Sequence, residues 1–304
     1  MLRSIFISLS KNKTARTWAE QSRAGQTLAA RFVAGMTVDE AVAACQRVNA
    51  EGIAVSLDSL GESVTAENEA RAAAEIYYRL LDAIAAKKLN ANVSLKLTQM
   101  GMDIAPALAE NIVAGVVGHA ASLAGFVRID MEGSEYTEAT IAMTERLHSE
   151  FPATVGTVLQ ASLYRTEADT ERLLAEGIRI RLCKGAYKEG PQVAFAAKAD
   201  VDRNYVKLMK RMATSGVFCG IATHDEAIVD EMTRFVAEQG IAKSAFEFQM
   251  LYGVRRDLQR KLARAGFGVR VYIPFGTAWY PYFMRRLAER PANVIFLAKN
   301  FFRK

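Results

Sequence analysis

Ile53-Ala-Val-Ser-Leu-Asp-Ser-Leu-Gly-Glu62 is the stretch on which the choice of fold turns. Its first five residues are apolar and β-rich enough for a strand, and Asp58-Ser-Leu-Gly-Glu62 then makes a loop. A doubly wound nucleotide-binding sheet would carry GxGxxG at this first strand-to-helix turn, because those glycines let backbone amides approach a pyrophosphate. No such turn is present here. Downstream, β-rich runs recur at Asn92–Leu97, Phe126–Asp130, Val155–Gln160, Ile178–Leu182, Val217–Thr223, Phe246–Leu251 and Val269–Ile273. Between them lie amphipathic segments such as Ala66–Ala86, Glu138–Ser149, Glu167–Ala175, Asp202–Ala213, Asp225–Glu238, Val254–Ala265 and Thr277–Glu289, with apolar residues every three or four positions. Strands alternating with helices pair in parallel through right-handed crossovers, and eight such units close most naturally into a (β/α)8 TIM-like barrel. Upstream, Thr14–Ala34 and Val38–Val48 read as additional N-terminal helices, the second with Thr37 as its N-cap. The expected organisation is a single domain over 1–304, with N-terminal helices in 1–50 and the barrel, including its final helix, in 51–304.

The chemistry of such barrels sits where strands end at the C-terminal face, because the loops there surround a common mouth. Those ends offer Asp58, Lys96, Asp130, Gln160, Arg181 with Lys184, Thr223 with His224, Gln249, and Tyr272. Any one of them alone is more readily a structural polar group facing a neighbouring strand. A complete ring of them marks a site.

Composition narrows the class. A chain of 304 residues suits one α/β barrel, and 51% hydrophobic with 24% charged residues fits a soluble globular enzyme. The longest apolar stretch, Ile112 to Val127, is interrupted by His119 and small residues and is too short to span a bilayer. The opening Met1-Leu-Arg-Ser-Ile-Phe-Ile lacks a secretory cleavage pattern, so the expectation is a cytoplasmic protein, with contact at the inner membrane face left open. Cys45, Cys183 and Cys219 are widely spaced, which argues for buried thiols and against a disulfide framework or a metal site. The net charge of +6 is dispersed among acids along the chain, a weak signal for nucleic acid, and none is expected as a partner.

Several stretches resemble the proline dehydrogenase family: Ser94-Leu-Lys-Leu-Thr98, Val127-Arg-Ile-Asp-Met-Glu132, Ile180-Arg-Leu-Cys-Lys-Gly-Ala-Tyr187, Ala222-Thr-His224 and Phe246-Glu-Phe-Gln-Met-Leu251. The most specific is Arg270-Val-Tyr272 followed by Tyr282-Phe-Met-Arg-Arg-Leu-Ala-Glu-Arg290, whose spacing is similar to the monofunctional bacterial form. The likeness runs from Gly52 to Asn300. Cys183 departs from it, standing where an aliphatic residue is expected. The resemblance implies a barrel that holds FAD at its mouth and oxidises L-proline to Δ1-pyrroline-5-carboxylate, passing electrons to a quinone. A pyrroline-5-carboxylate dehydrogenase would take the product.

Arg285 and Arg286 lie ~100° apart on a helix and can present planar forks to one carboxylate, so they are the candidate substrate clamp. The plain alternative is a solvated helix end with Arg285 paired to Glu289. Lys96 is placed to add a third cation or to neighbour the flavin, its alternative being an ion pair with Asp130. Asp130 would hold Lys96 or a clamp arginine in place. Tyr272 would lie beside the proline ring, Leu251 would line the opposite wall, and the resemblance puts Glu62 opposite Arg285 as a closing ion pair. For the flavin, the resemblance places Arg181 near N5, Lys184, Gly185 and Ala186 around phosphate, and Met131, Gln160, Thr223, His224 and Gln249 in the remainder of the site. His119 and His148 read as structural. Two rival readings stay open: a Schiff-base aldolase using Lys96 or Lys184, and a basic peripheral scaffold using Arg255-Arg-Asp-Leu-Gln-Arg-Lys261.

Overall fold

The computed structural model describes residues 29–289 together with Ser22 and Gly25, with side chains of the last helix described through Met284. Of the expected opening helix at 14–34 the described residues are Ser22, Gly25 and 29–34, and residues 30–34 form a turn rather than helix. The first described helix, α1 (Val38–Asn49), begins where the sequence predicts. The Thr37 side chain accepts from the Glu40 amide, and the Glu40 carboxylate accepts from the amides of Thr37 and Met36, a reciprocal cap. Those backbone donors hold the Glu40 carboxyl below its ordinary pKa. At the other end, Asn49 donates to the Ile53 carbonyl and accepts from the Asn90 amide, tying α1 to the feet of the first two strands.

The chain then runs β1 (Ala54–Ser59), α2 (Glu67–Ala86), β2 (Ala91–Leu95), α3 (Pro106–Ser122), β3 (Val127–Ile129), α4 (Thr137–Glu150), β4 (Val155–Gln160), α5 (Thr166–Ala175) and β5 (Arg179–Cys183). It continues through α6 (Lys198–Ala213), β6 (Cys219–Ala222), α7 (Glu226–Glu238), β7 (Phe246–Leu251), α8 (Arg256–Arg264), β8 (Gly268–Phe275) and α9 (Trp279–Glu289). The strands pair in parallel in sequence order, and β8 closes on β1 from Ala54↔Arg270 to Ser59↔Phe275. The (β/α)8 expectation therefore holds, and strand limits differ from the sequence reading by a residue or two. The apolar run at Ile112 to Val127 is divided between α3 and β3.

The strands alternate. Val55, Leu57, Val93, Leu95, Ile180 and Leu182 belong to the main core, where the sheet meets the helices, and each such buried side chain contributes roughly 1.5–3 kcal/mol. The intervening residues turn inward and are polar. The last helix departs from a regular barrel: α1 packs across β1 and β8, while Trp279, Tyr280, Phe283 and Met284 of α9 form a separate cluster with Ala29, Phe32, Val33 and Leu60. Backbone bonds from Ala34 to the Pro274 carbonyl and from Leu60 to that of Phe275 pin this cluster to the C-terminal end of β8. The final helix thus sits by the mouth.

Candidate active site

Register decides which side chains meet inside the barrel. Residues paired across parallel strands face the same way, so Asp58↔Ser94, Ser94↔Arg128, Ser56↔Tyr272, Gly220↔Glu247 and Gln249↔Arg270 place successive layers of mostly polar residues on the inner face. Arg181, 5% exposed, joins these layers. Its Nη1 donates to Asp130 Oδ1 at 2.8 Å, its Nη2 to the hydroxyls of Ser56 and Ser94 at 3.2 Å each, and its Nε to Gln249 Oε1 at 2.5 Å. The guanidinium also lies 5.2 Å from the Tyr272 ring centroid. A guanidinium has five N–H bonds. Four have acceptors, and the fifth, on Nη1, has none among the described residues.

Asp130 uses its second oxygen, Oδ2, to accept from the Tyr272 hydroxyl at 2.7 Å. Burial first, then the charges of Asp130 and Asp58, push the Tyr272 phenol well above its ordinary pKa, so it remains a donor. Here the sequence reading needs correction. Asp130 holds Arg181 and Tyr272, whereas Lys96 donates instead to Asp58 Oδ1 at 2.9 Å. Asp58 and Asp130 lie on the two strands that flank β2, but both oxygens of Asp130 are taken by Arg181 and Tyr272, which leaves Asp58 to Lys96. Burial by itself would lower the Lys96 pKa, but the carboxylates of Asp58 and Asp130 outweigh it and keep the ammonium charged.

Deeper in the barrel, Glu247 accepts from Arg270 Nε at 2.6 Å and from Gln249 Nε2 at 2.7 Å. Arg128 donates to the carbonyls of Thr157 and Arg179, and burial, then the charge of Arg181, lowers its pKa to about 9. Ser56, Ser94, Glu247 and Arg270 received no role from sequence, and Asp58 only a place in the ring of strand ends. The signal was there, in the alternation of Phe246-Glu-Phe-Gln and Val269-Arg-Val-Tyr, because parallel strands with two apolar faces show continuous hydrophobic runs instead.

The remaining candidates surround the mouth. Lys184 sits between Asp202 of α6, at 2.6 Å, and Asp225, at 3.1 Å. Gly185 follows with φ +111, and a Cβ there would stand 2.2 Å from the Ser162 hydroxyl; next to it Ala186 is exposed. Gln160 donates to the Glu132 carbonyl at 2.9 Å, Met131 is buried at the end of β3, and the Thr223 hydroxyl accepts from the Asp225 amide. His224 Nε2 accepts from the Leu251 amide at 2.9 Å, which puts the ring proton on Nδ1. Leu251 itself pairs with Tyr272 across β7 and β8, so the two are neighbours on one face and Leu251 does not line a wall opposite Tyr272, as the sequence reading had it.

Glu62 is half-buried in the loop after β1. That loop is anchored at Ser63, whose amide donates to Thr98 Oγ1, while Thr98 donates its hydroxyl and amide to the buried Glu132 carboxylate. Arg285 and Arg286 continue α9, and their side chains lie outside the described residues. Glu289 does as well. Their convergence on a carboxylate therefore stays an expectation.

The set of donors fits a flavin. A buried guanidinium with one N–H to spare suits an acceptor on the isoalloxazine edge, and a left-handed glycine beside a lysine suits phosphate, since only a bare backbone fits so close to Ser162.

Comparison with known proteins agrees with this architecture. The sequence profile of the proline dehydrogenase family matches residues 41–299. Proline dehydrogenase 1 of Bacillus subtilis is 42% identical over 306 aligned residues covering all of both chains. Proline dehydrogenase of Deinococcus radiodurans is 42% identical over 280 residues, 90% of this chain and 89% of that one. Among solved structures, proline utilization A from Bdellovibrio bacteriovorus, inactivated by N-propargylglycine, superposes with a TM-score of 0.83 over 99% of this chain and 38% of its own, at 23% identity. That likeness bears on fold. The profile match together with the full-length relatives shows that this chain belongs to the proline dehydrogenase family.

Proposed function

We propose that this chain oxidises L-proline to Δ1-pyrroline-5-carboxylate with FAD bound at the barrel mouth, the electrons leaving to a quinone. The observation that carries the reading is the convergence of Asp130, Arg181 and Tyr272 in one hydrogen-bonded cluster, beside the Lys96–Asp58 ion pair, at the mouth of a barrel from this family. FAD, when bound, would supply at N5 the acceptor for hydride from the proline ring carbon beside the nitrogen. Lys96 attracts the proline carboxylate, completing a clamp with Arg285 and Arg286. Tyr272, held by Asp130, borders the ring. Arg181 offers its spare N–H to the flavin edge, and Lys184, Gly185 and Ala186 hold phosphate, with Met131, Gln160, Thr223 and His224 around the cofactor. Both oxygens of Asp130 already accept hydrogen bonds, which supports entry of proline with a neutral amine rather than deprotonation by this carboxylate.

The rival readings lose support. A Schiff-base lysine must shed its proton, and the paired carboxylates keep Lys96 charged. The cationic helix is locally neutralised: Arg255 pairs with Glu226 and Asp257, and Arg256 and Arg260 pair with Glu51. Among the described residues no helix is long and apolar enough to cross a membrane. The product would pass to a separate pyrroline-5-carboxylate dehydrogenase. The test is the absorption spectrum of the purified protein before and after anaerobic L-proline. A flavin band bleached by proline is expected. Colourless protein that cannot be reconstituted with FAD would overturn the proposal.

A further inference from the structure

Gln249 has both ends of its amide engaged inside the barrel. Its Oε1 accepts from Arg181 Nε, and its Nε2 donates to Glu247. A carboxylate only accepts and a guanidinium only donates, so the amide has one permitted orientation. Glu247 is itself fixed, being 5% exposed and held by Arg270, whose Nη1 donates to the Val55 carbonyl at 2.7 Å. A second element contributes from the neighbouring strand. A Cβ on Gly220 would stand 2.4 Å from Gln249 Nε2, and no left-handed φ requires glycine there. What this glycine supplies is room for the amide.

We infer that Gln249, oriented by Glu247 and accommodated by Gly220, is a positioning residue for Arg181 rather than a direct ligand of the cofactor. The inference deepens the proposed flavin chemistry and rests on it. Asp130, Ser56 and Ser94 hold the two terminal nitrogens, and among the described residues Gln249 alone holds Nε, so this arm sets the rotation of the guanidinium plane and with it the spare Nη1 N–H. A cation kept in place beside the flavin favours the more negative, reduced form. Releasing Nε should lower the reduction potential while leaving the carboxylate site around Lys96 intact.

The experiment measures the reduction potential of the bound flavin, with proline kinetics, in Gln249→Met and Gly220→Ala. Methionine keeps the length and removes the acceptor; alanine displaces the amide from a different strand. Each is expected to shift the reduction equilibrium about tenfold, which for a two-electron couple is about 30 mV downward. kcat should fall by a similar factor, with KM for proline within about twofold of wild type. The double variant should shift no further than either single one, because both act through one contact. Wild-type potentials in folded, flavin-loaded single variants overturn the inference, as does an additive shift in the double variant, which would mean packing alone. If Gln249→Met does not fold, Gly220→Ala decides in the same measurement. A wild type that takes up no flavin overturns the inference and the proposed function together, whereas a proline-reducible wild type with unshifted variants overturns the positioning role only.

Discussion

Removing the carboxylate charge of Asp58 should leave Lys96 as an uncompensated buried cation. The two side chains are 2% and 13% exposed and 2.9 Å apart, so solvent screens the pair little. Breaking such a pair from one side costs about 3–5 kcal/mol. The charge of Asp130 still favours the Lys96 ammonium, which places Asp58→Asn toward the lower end of that range. With roughly 2.1 cal/mol/K of unfolding entropy per residue, a chain of this length has about 0.6 kcal/mol/K, so Tm should fall by about 5 °C. The pH dependence has a definite sign. In the wild type the Lys96 pKa is raised, so the pair's stabilisation is complete below the ordinary lysine pKa and is lost only as pH rises through the higher folded value. In Asp58→Asn, burial is opposed by less charge, the folded pKa drops, and the deficit relative to wild type should narrow as pH rises through the alkaline range. Urea titrations of both proteins from neutral to alkaline pH measure this, with Asp58→Asn/Lys96→Met as the control that removes the stranded charge and recovers most of the loss. A deficit under about 1 kcal/mol, or a double variant no more stable than the single one, would refute the reasoning.

Asp225→Asn removes one of the two carboxylates that hold Lys184, so a phosphate should win the lysine more easily; flavin affinity, read by fluorescence titration of apoprotein, should tighten about three- to tenfold, and unchanged affinity would remove Lys184 from the phosphate site. Gly185→Ala meets both a left-handed φ and the Ser162 hydroxyl, and is expected to lose about 1–2 kcal/mol of stability and most bound flavin; normal flavin content would contradict the cradle. Arg286→Ala should lower kcat/KM for proline about thirtyfold to several thousandfold, from the roughly 2–5 kcal/mol lost when a buried charge pair is truncated, with flavin content intact. Near-wild-type turnover would return Arg286 to the helix surface.

The fold was legible in short-range pattern. Thr37 and Glu40 announce the start of α1, and the alternation of β-rich and amphipathic runs announces the barrel, because both signals depend on neighbours within a few residues. The position of α9 was not legible. Its apolar periodicity is that of any barrel helix, and only the companions it finds in Phe32, Val33 and Leu60 place it by the mouth.

The same division runs through the site. Strand periodicity and strand ends identified the mouth residues Lys96, Asp130, Arg181, Gln249 and Tyr272, since a period of two decides which side chains share a face. Which of them touch was settled by barrel closure. Arg181 lies 51 residues from Asp130, 68 from Gln249 and 125 from Ser56, and no local pattern encodes pairings at those separations. Sequence alone offered Lys96 to Asp130; the closed sheet brought Tyr272 and Arg181 to Asp130 and left Lys96 to Asp58, because inter-strand register, set by the packing of the whole barrel, determines the distances on which hydrogen bonds depend.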